Sequence, residues 1–336
     1  MIKESISRLV KGIDLAEEEM VHCMNEVMTG GASPAQIASF ITALRMKGET
    51  VAEITGAARV MREKATKVNA PEGDMIDTCG TGGDEAMTFN ISTASAFVAA
   101  GCGITVAKHG GRSVSSRSGS ADVLKALGVN IEAEVSRVEE CLRDASIGFL
   151  FAPMLHGAMK YAAPVRRELG IRTIFNILGP LTNPAGAKRQ VIGVYDPTLT
   201  DTLAKVLFNL GSVHAFVVHG SDGLDEITLT GETRVTELKD SGIRTYHIRP
   251  EDFGFNPCVP EDLKGGAPEL NAEIILGILN SEKGPKRDVV LLNSSAAIVA
   301  AGKANSLAEG IAVARGSIDS GAALERLERL KAITCR

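Results

Sequence analysis

Residues 75–93 read MIDTCGTGGDEAMTFNIST, and this stretch decides the fold. It opens on a short apolar run, passes through Gly80, Gly82 and Gly83, and reaches Asn90, Ser92 and Thr93 at the start of a helical pattern. Glycine costs folding entropy, so a cluster of it marks backbone conformations or close approaches that a Cβ would forbid. A strand running through glycines into a helix N-terminus presents free N–H groups and a partial positive charge, which suit a phosphate. The G-K-[ST] ending of a Walker A loop is absent. Taken alone, the stretch is also compatible with a tight turn followed by an ordinary N-cap.

Working outward, the rhythm on the C-terminal side repeats this unit. Short β-branched runs such as GITVAK, QVIGVY and AFVVHG alternate with helical stretches such as STASAFVAA, SADVLKALG and DTLAKVLFNLG. Strand–helix alternation of this kind predicts an α/β domain with a mostly parallel sheet flanked by helices. On the N-terminal side, residues 1–70 read as helices only. Asp14 with Glu17, Ser33 with Gln36, and Thr50 with Glu53 each have capping-box spacing. Pro34 suits a first helical position, Gly30 and Gly48 suit helix ends, and Ile37, Phe40, Ile41 and Leu44 form one apolar stripe. The expected organisation is a small helical domain over 1–70 and a large α/β domain over 71–336. Residues 167–190, apolar and then proline-rich, read as a crossing between the two or an inserted part of the helical one. Residues 226–237, EITLTGETRVTE, alternate around Gly231 and predict a hairpin.

Composition narrows the function. The 336 residues suit about two domains. A net charge of −5 with no tryptophan and only three tyrosines argues against a nucleic-acid binder or a membrane-surface binder. Six scattered cysteines without a C-x-x-C pair read as reduced thiols. The charged, amphipathic start is unlike a signal peptide, and no apolar run approaches the ~20 residues of a membrane span. A cytoplasmic protein is expected.

Two more loops carry chemistry. VAKHGGRSVSSRSGSADVLKALG (106–128) again follows a strand and enters a helix, with Ser120 expected as N-cap. Between them stand Lys108, His109, Arg112, Arg117 and the hydroxyls of Ser113, Ser115, Ser116 and Ser118. Cations, hydroxyls and freed amides together suit a doubly phosphorylated ligand; a solvated basic loop is the plainer alternative. Two such loops on successive strands open at one carboxyl edge of the sheet. In VVHGSDGLDEITLTG (217–231), Asp225 and Glu226 stand side by side. Near phosphates such a pair implies Mg2+, which takes one or two carboxylates plus phosphate oxygens and water; otherwise the stretch is a polar turn. Asp84 has three possible roles: stabilising loop amides, binding a ribose hydroxyl, or reaching metal through water. Arg166 and Arg167 fall where the domains are expected to meet, placed for an acidic second substrate or an interface ion pair. His109 and His156 are the histidines near these loops, as bases or as structural donors.

DTCGTGGD, NIST, KHGGRSVSSRSGSADVLKALG, APVRRELGIRTIFNILGPLTNP and HGSDGLDEIT, in this order, resemble the anthranilate phosphoribosyltransferase family, and the likeness spans nearly the whole chain. The resemblance implies the fold of nucleoside phosphorylases with a hinge between the domains, and a homodimer formed through the helical parts. The implied substrates are phosphoribosyl pyrophosphate and anthranilate, with up to two Mg2+ ions. By motif, the donor contacts would be Gly80, Gly83, Asp84, Thr88, Asn90, Ile91, Ser92, Thr93, Lys108, His109, Gly110, Gly111, Arg112, Ser113, Val114, Ser115, Ser116 and Ser120. Ser92, Asp225 and Glu226 would hold metal, and Gly80, Gly111 and Arg166 would face anthranilate. The family usually reads KHGNR, with an acceptor-binding asparagine where this chain has Gly111; HGAMK likewise replaces HPAMK. Catalysis would rest on Lys108, Arg112, Mg2+ and amides around the leaving pyrophosphate, because a neutral aromatic amine needs no strong base. The competing readings are a pyrimidine-nucleoside phosphorylase and a catalytically silent homologue that binds nucleic acid.

Overall fold

The computed structural model describes residues 1–71, 73–84, 86–112 and 118–336. Four helices come first: α1 (Ile2–Leu9), α2 (Glu17–Met28), α3 (Pro34–Lys47) and α4 (Val51–Lys64). Capping boxes start two of them: Ser33 Oγ accepts from the Gln36 amide and Thr50 Oγ1 from the Glu53 amide. The spacing of Asp14 and Glu17 misleads. α2 begins at Glu17 after an Ala16 N-cap, and the Glu19 carboxylate accepts from the Ala16 amide at 2.9 Å. Asp14 instead accepts from Lys47 Nζ at 2.6 Å. The Lys47 ammonium is almost fully buried and takes both Asp14 and the buried Glu53 as counter-charges.

The rest is built on one seven-stranded sheet in the order β3-β2-β1-β4-β5-β6-β7. Its strands are β1 (Met75–Asp77), β2 (Thr105–Gly110), β3 (Ile147–Phe151), β4 (Arg189–Gly193), β5 (His214–Gly220), β6 (Thr233–Lys239) and β7 (Gly242–Ile248). The first five in chain order are parallel; β6 pairs antiparallel with β5, and β7 antiparallel with β6. The chain steps from β1 out to β3, then returns to β1's other side with β4. That reversal places a crevice beyond the carboxyl ends of β1 and β4, where open α/β sheets bind ligands. Helix α5 (Ile91–Gly101) follows β1, and α6 (Ser120–Ala126) follows β2.

Alternation along β5 divides the interior. Phe216 and Val218 join the core formed with α5 and the C-terminal helices, while Ala215 and Val217 face the other way. On that second face they share a core with Met20, Met24, Phe40, Ile41 and Leu44 of the helical segment and with Ile174, Phe175, Ile177, Leu178 and Leu181.

Two local expectations are corrected. No hairpin turns at Gly231: β6 begins at Thr233, and its tight turn to β7 is Asp240–Ser241, both with positive φ. The hydroxyls of Thr228 and Thr230 both bond Asp222, so their alternation closes a loop rather than forming a strand. Ser120 is the first residue of α6, and Gly119 is its N-cap, with its amide bonded to the Asp122 carboxylate at 3.0 Å.

Candidate active site at the carboxyl edge

The loop after β1 lies against β4 and the segment after β5 through nearly bare backbone. The Thr81 amide donates to the Gly193 carbonyl at 2.9 Å, and the Gly82 amide to Asp225 Oδ2 at 2.7 Å. A Cβ on Gly80 would stand 2.7 Å from that same carboxylate oxygen, and one on Gly193 would lie 1.4 Å from the Asp225 carbonyl oxygen. Glycine at these two positions is therefore a condition of the close approach. Arg172 stacks 4.4 Å over the Tyr195 ring and donates to the Gly83 carbonyl. Sequence reading missed Gly193 and Arg172. Gly193 ends a strand run, but only the order of strands reveals that it borders the glycine loop.

Three carboxylates meet here. Glu226 accepts from the Ser92 amide at 3.1 Å, and Asp84 accepts from the Ala86 amide at 3.3 Å. Burial, then the charges of Asp84 and Glu226, push Asp225 well above the usual carboxylate range. Burial also raises Glu226 to about 7, with Asp84 adding to the shift and Lys108 and Ser92 opposing it. Like charges brought together out of water are unfavourable unless a proton or a cation neutralises them. Hard carboxylate oxygens beside the Ser92 hydroxyl are a donor set that fits Mg2+.

Lys108 lies beneath this cluster. Its buried ammonium donates to the Thr78 carbonyl at 2.8 Å and stands 3.4 Å from Ser92 Oγ. Burial lowers its pKa, while Cys79, Asp77, Glu226 and Asp225 hold it up. His109 is not available as a base. Its Nδ1–H donates to the Gly179 carbonyl at 3.1 Å, which leaves Nε2 to accept from His156 Nε2–H at 3.1 Å. Burial, with the repulsion of His156, lowers His109 to about 3, so the ring stays neutral.

The remaining predicted residues divide. Asn90, the N-cap of α5, donates to the Ser118 carbonyl and accepts from Asn271, tying the first two loops together. Thr88 bridges to Lys264. Ile91 is buried, and so is Thr93, whose amide turns back to the Asn90 carbonyl. Gly110 leaves room for Ser120 Oγ, 2.3 Å from where its Cβ would be. A Cβ on Gly111 would meet nothing within 4 Å among the described residues. Arg112 stands apart: it is exposed, 3.6 Å from Glu132 and 5.9 Å above the Phe151 ring. Ser113, Val114, Ser115, Ser116 and Arg117 lie outside the described residues. Arg166 sits half-buried over Phe175, and it has no hydrogen-bond or ion-pair partner among the described residues.

A helical bundle joined to an α/β domain with this site defines a class, and the comparisons agree. The helical bundle domain of the glycosyl transferase family matches residues 3–65, and its a/b domain matches residues 72–324. The chain belongs to the anthranilate phosphoribosyltransferase family. It is 55% identical to the anthranilate phosphoribosyltransferase of Geotalea daltonii, over 99% of each chain. It is 56% identical to that of Acetivibrio thermocellus, over 99% of this chain and 97% of the relative. The crystal structure of the Thermus thermophilus enzyme superposes with a TM-score of 0.94 at 45% identity, covering 99% of both chains. The Saccharomyces cerevisiae enzyme in complex with phosphoribosyl pyrophosphate and Mg has a TM-score of 0.90 at 28% identity, covering 99% and 98%.

Proposed function

We propose that the chain transfers the phosphoribosyl group of phosphoribosyl pyrophosphate to anthranilate, giving N-phosphoribosylanthranilate and pyrophosphate in tryptophan biosynthesis. The observation that carries this reading is the convergence of Asp84, Asp225 and Glu226 on the glycine loop, with the Lys108 ammonium beneath. Ser92, Asp225 and Glu226 would hold Mg2+, up to two ions with Asp84 nearby. The metal, when bound, neutralises the charge that gathers on the leaving pyrophosphate. Gly80, Gly83, Thr88, Asn90 and the loop from Lys108 to Ser116, with Ser120, would cradle the donor. Arg166, half-buried over Phe175 and without a hydrogen-bond or ion-pair partner among the described residues, would take the anthranilate carboxylate, because such a guanidinium favours a bidentate anion.

The amine of anthranilate is already a neutral nucleophile, and the neutral His109–His156 pair leaves no base at that position. Rate would come from stabilising the departing pyrophosphate and from placing the amine within about 3–3.5 Å of the ribose carbon. Arg112 would have to leave Glu132 to reach the donor. The enzyme would act in the cytoplasm as a homodimer through its helical segment. Loss of anthranilate fluorescence, followed with donor and Mg2+ together and with each left out, tests the reading. Consumption that persists without Mg2+, or none with both present, would overturn it.

A further inference from the structure

β1 and β2 separate before their loops begin. They pair only at Met75 with Thr105 and Ile76 with Val106, while on its other edge β1 pairs Ile76 with Arg189 and Asp77 with Gln190 of β4. β2 continues to Gly110 against β3 alone. On its open side the backbone groups of Ala107 and His109 would be buried without a strand to bond.

Two side chains replace the missing strand. Asn183 Nδ2 donates to the Ala107 carbonyl and to Asp77 Oδ2, both at 2.8 Å. Asp77 Oδ1 accepts from the His109 amide at 3.1 Å. Asn183 Oδ1 in turn accepts from the Ala185 amide at 2.9 Å. Both residues are buried, at 0% exposure for Asp77 and 4% for Asn183. The groups they hold are the peptide units on either side of Lys108. From there the lysine side chain crosses the same gap to the Thr78 carbonyl and toward Ser92.

We infer that Asp77 and Asn183 are positioning residues: their carboxylate–carboxamide pair holds the Lys108 backbone from both sides and sets where its ammonium stands beneath the donor loops. The inference rests on the functional reading above. Asn183 belongs to a segment bonded to both parts of the molecule. The Leu181 carbonyl accepts from Arg62 of α4, the Pro180 carbonyl from Gln190 of β4, and the Gly179 carbonyl from His109.

Asn183→Asp keeps the side-chain shape but sets a second carboxylate against Asp77 and the Ala107 carbonyl. Asp77→Asn keeps an acceptor for the His109 amide, sets an amide against the Asn183 amide, and removes a negative charge beside the Lys108 ammonium. In folded protein, each variant should lower kcat by about 10-fold or more and raise the donor KM several-fold, since small misplacements at a site have effects of this size. Combining the two substitutions should recover part of the donor KM, because an amide at 77 again faces a carboxylate at 183. A purely structural pair predicts otherwise: kcat falls with the folded fraction, measured by circular dichroism, and the donor KM stays unchanged. That result, unchanged kinetics, or failure of both single variants to fold would overturn the inference. Calorimetry of the unaltered chain with Mg2+ and phosphoribosyl pyrophosphate keeps the two levels apart. No binding there breaks the functional reading and this inference with it; normal binding beside unaffected variants breaks the inference alone.

Discussion

Two buried carboxylate sites, one on β6 within the sheet and one at its carboxyl edge, illustrate opposite solutions. On β6, Glu237 is buried, and burial alone would raise its pKa. Bonds from His214, Arg244 and Tyr246 instead hold it down at about 2. At the carboxyl edge, Asp225 and Glu226 receive one backbone amide each and face Asp84, and both are pushed up. The first cluster is complete within the chain. The second has no cation-bearing side chain bonded to it among the described residues and stays uncompensated when ionised, which suits it to take up a cation.

The sharpest way to break this contrast is alanine at both Asp225 and Glu226. Turnover should fall on the order of 10³-fold, while the melting temperature without metal holds or rises, because like charges are relieved. His109→Ala is the control: turnover per folded molecule should fall by less than about 10-fold, short of the roughly 10²–10⁴-fold attached to a lost general base. Equal losses in the two variants would refute a mechanism of metal and positioning.

Glu237→Gln should do the reverse. Urea unfolding should report a loss of ~2–3 kcal/mol, as expected for a buried carboxylate stripped of charged bonds, with turnover unchanged. Because its folded pKa lies below the ordinary value of 4.5, its contribution is present above that pH and is lost as pH falls toward about 2. The variant should lack this acid-range component.

Glu226 has the opposite sign. With its folded pKa raised from 4.5 to about 7, the stability tied to its protonated form is present below 4.5 and lost as pH rises through about 7. Added Mg2+ should therefore raise the melting temperature more at about pH 8 than at about pH 5. Glu226→Gln should remove most of that difference.

The smallest effect is expected at Gly111→Asn. A Cβ there meets none of the described atoms within 4 Å, so stability should change little. One restored hydrogen bond, worth about 0.5–1.5 kcal/mol, should lower the anthranilate KM a few-fold.

The fold class was legible because the pattern is local: the short β-branched run AFVVHG and the stripe through Ile37, Phe40, Ile41 and Leu44 mark buried segments within a few residues. Capping was legible where side chain and amide were three residues apart, as at Ser33 and Thr50. It failed at Asp14, where a lysine thirty-three residues away claimed the carboxylate. The glycine loop and the acidic pair stood out by composition. Their contact, Gly82 on Asp225, joins positions 143 residues apart and left no trace along the chain.

From sequence alone came the alternating strands and helices, the three polar loops after strands, and the family resemblance they carry. Each depends on neighbours within a turn or two, or on motifs read in order. Only tertiary structure decided that β1 lies between β2 and β4, that Gly193 admits the Asp225 backbone, and that Asp77 with Asn183 brackets Lys108. Strand order and side-chain pairing across the sheet are set by how whole elements pack, a global minimum that no short window of residues encodes.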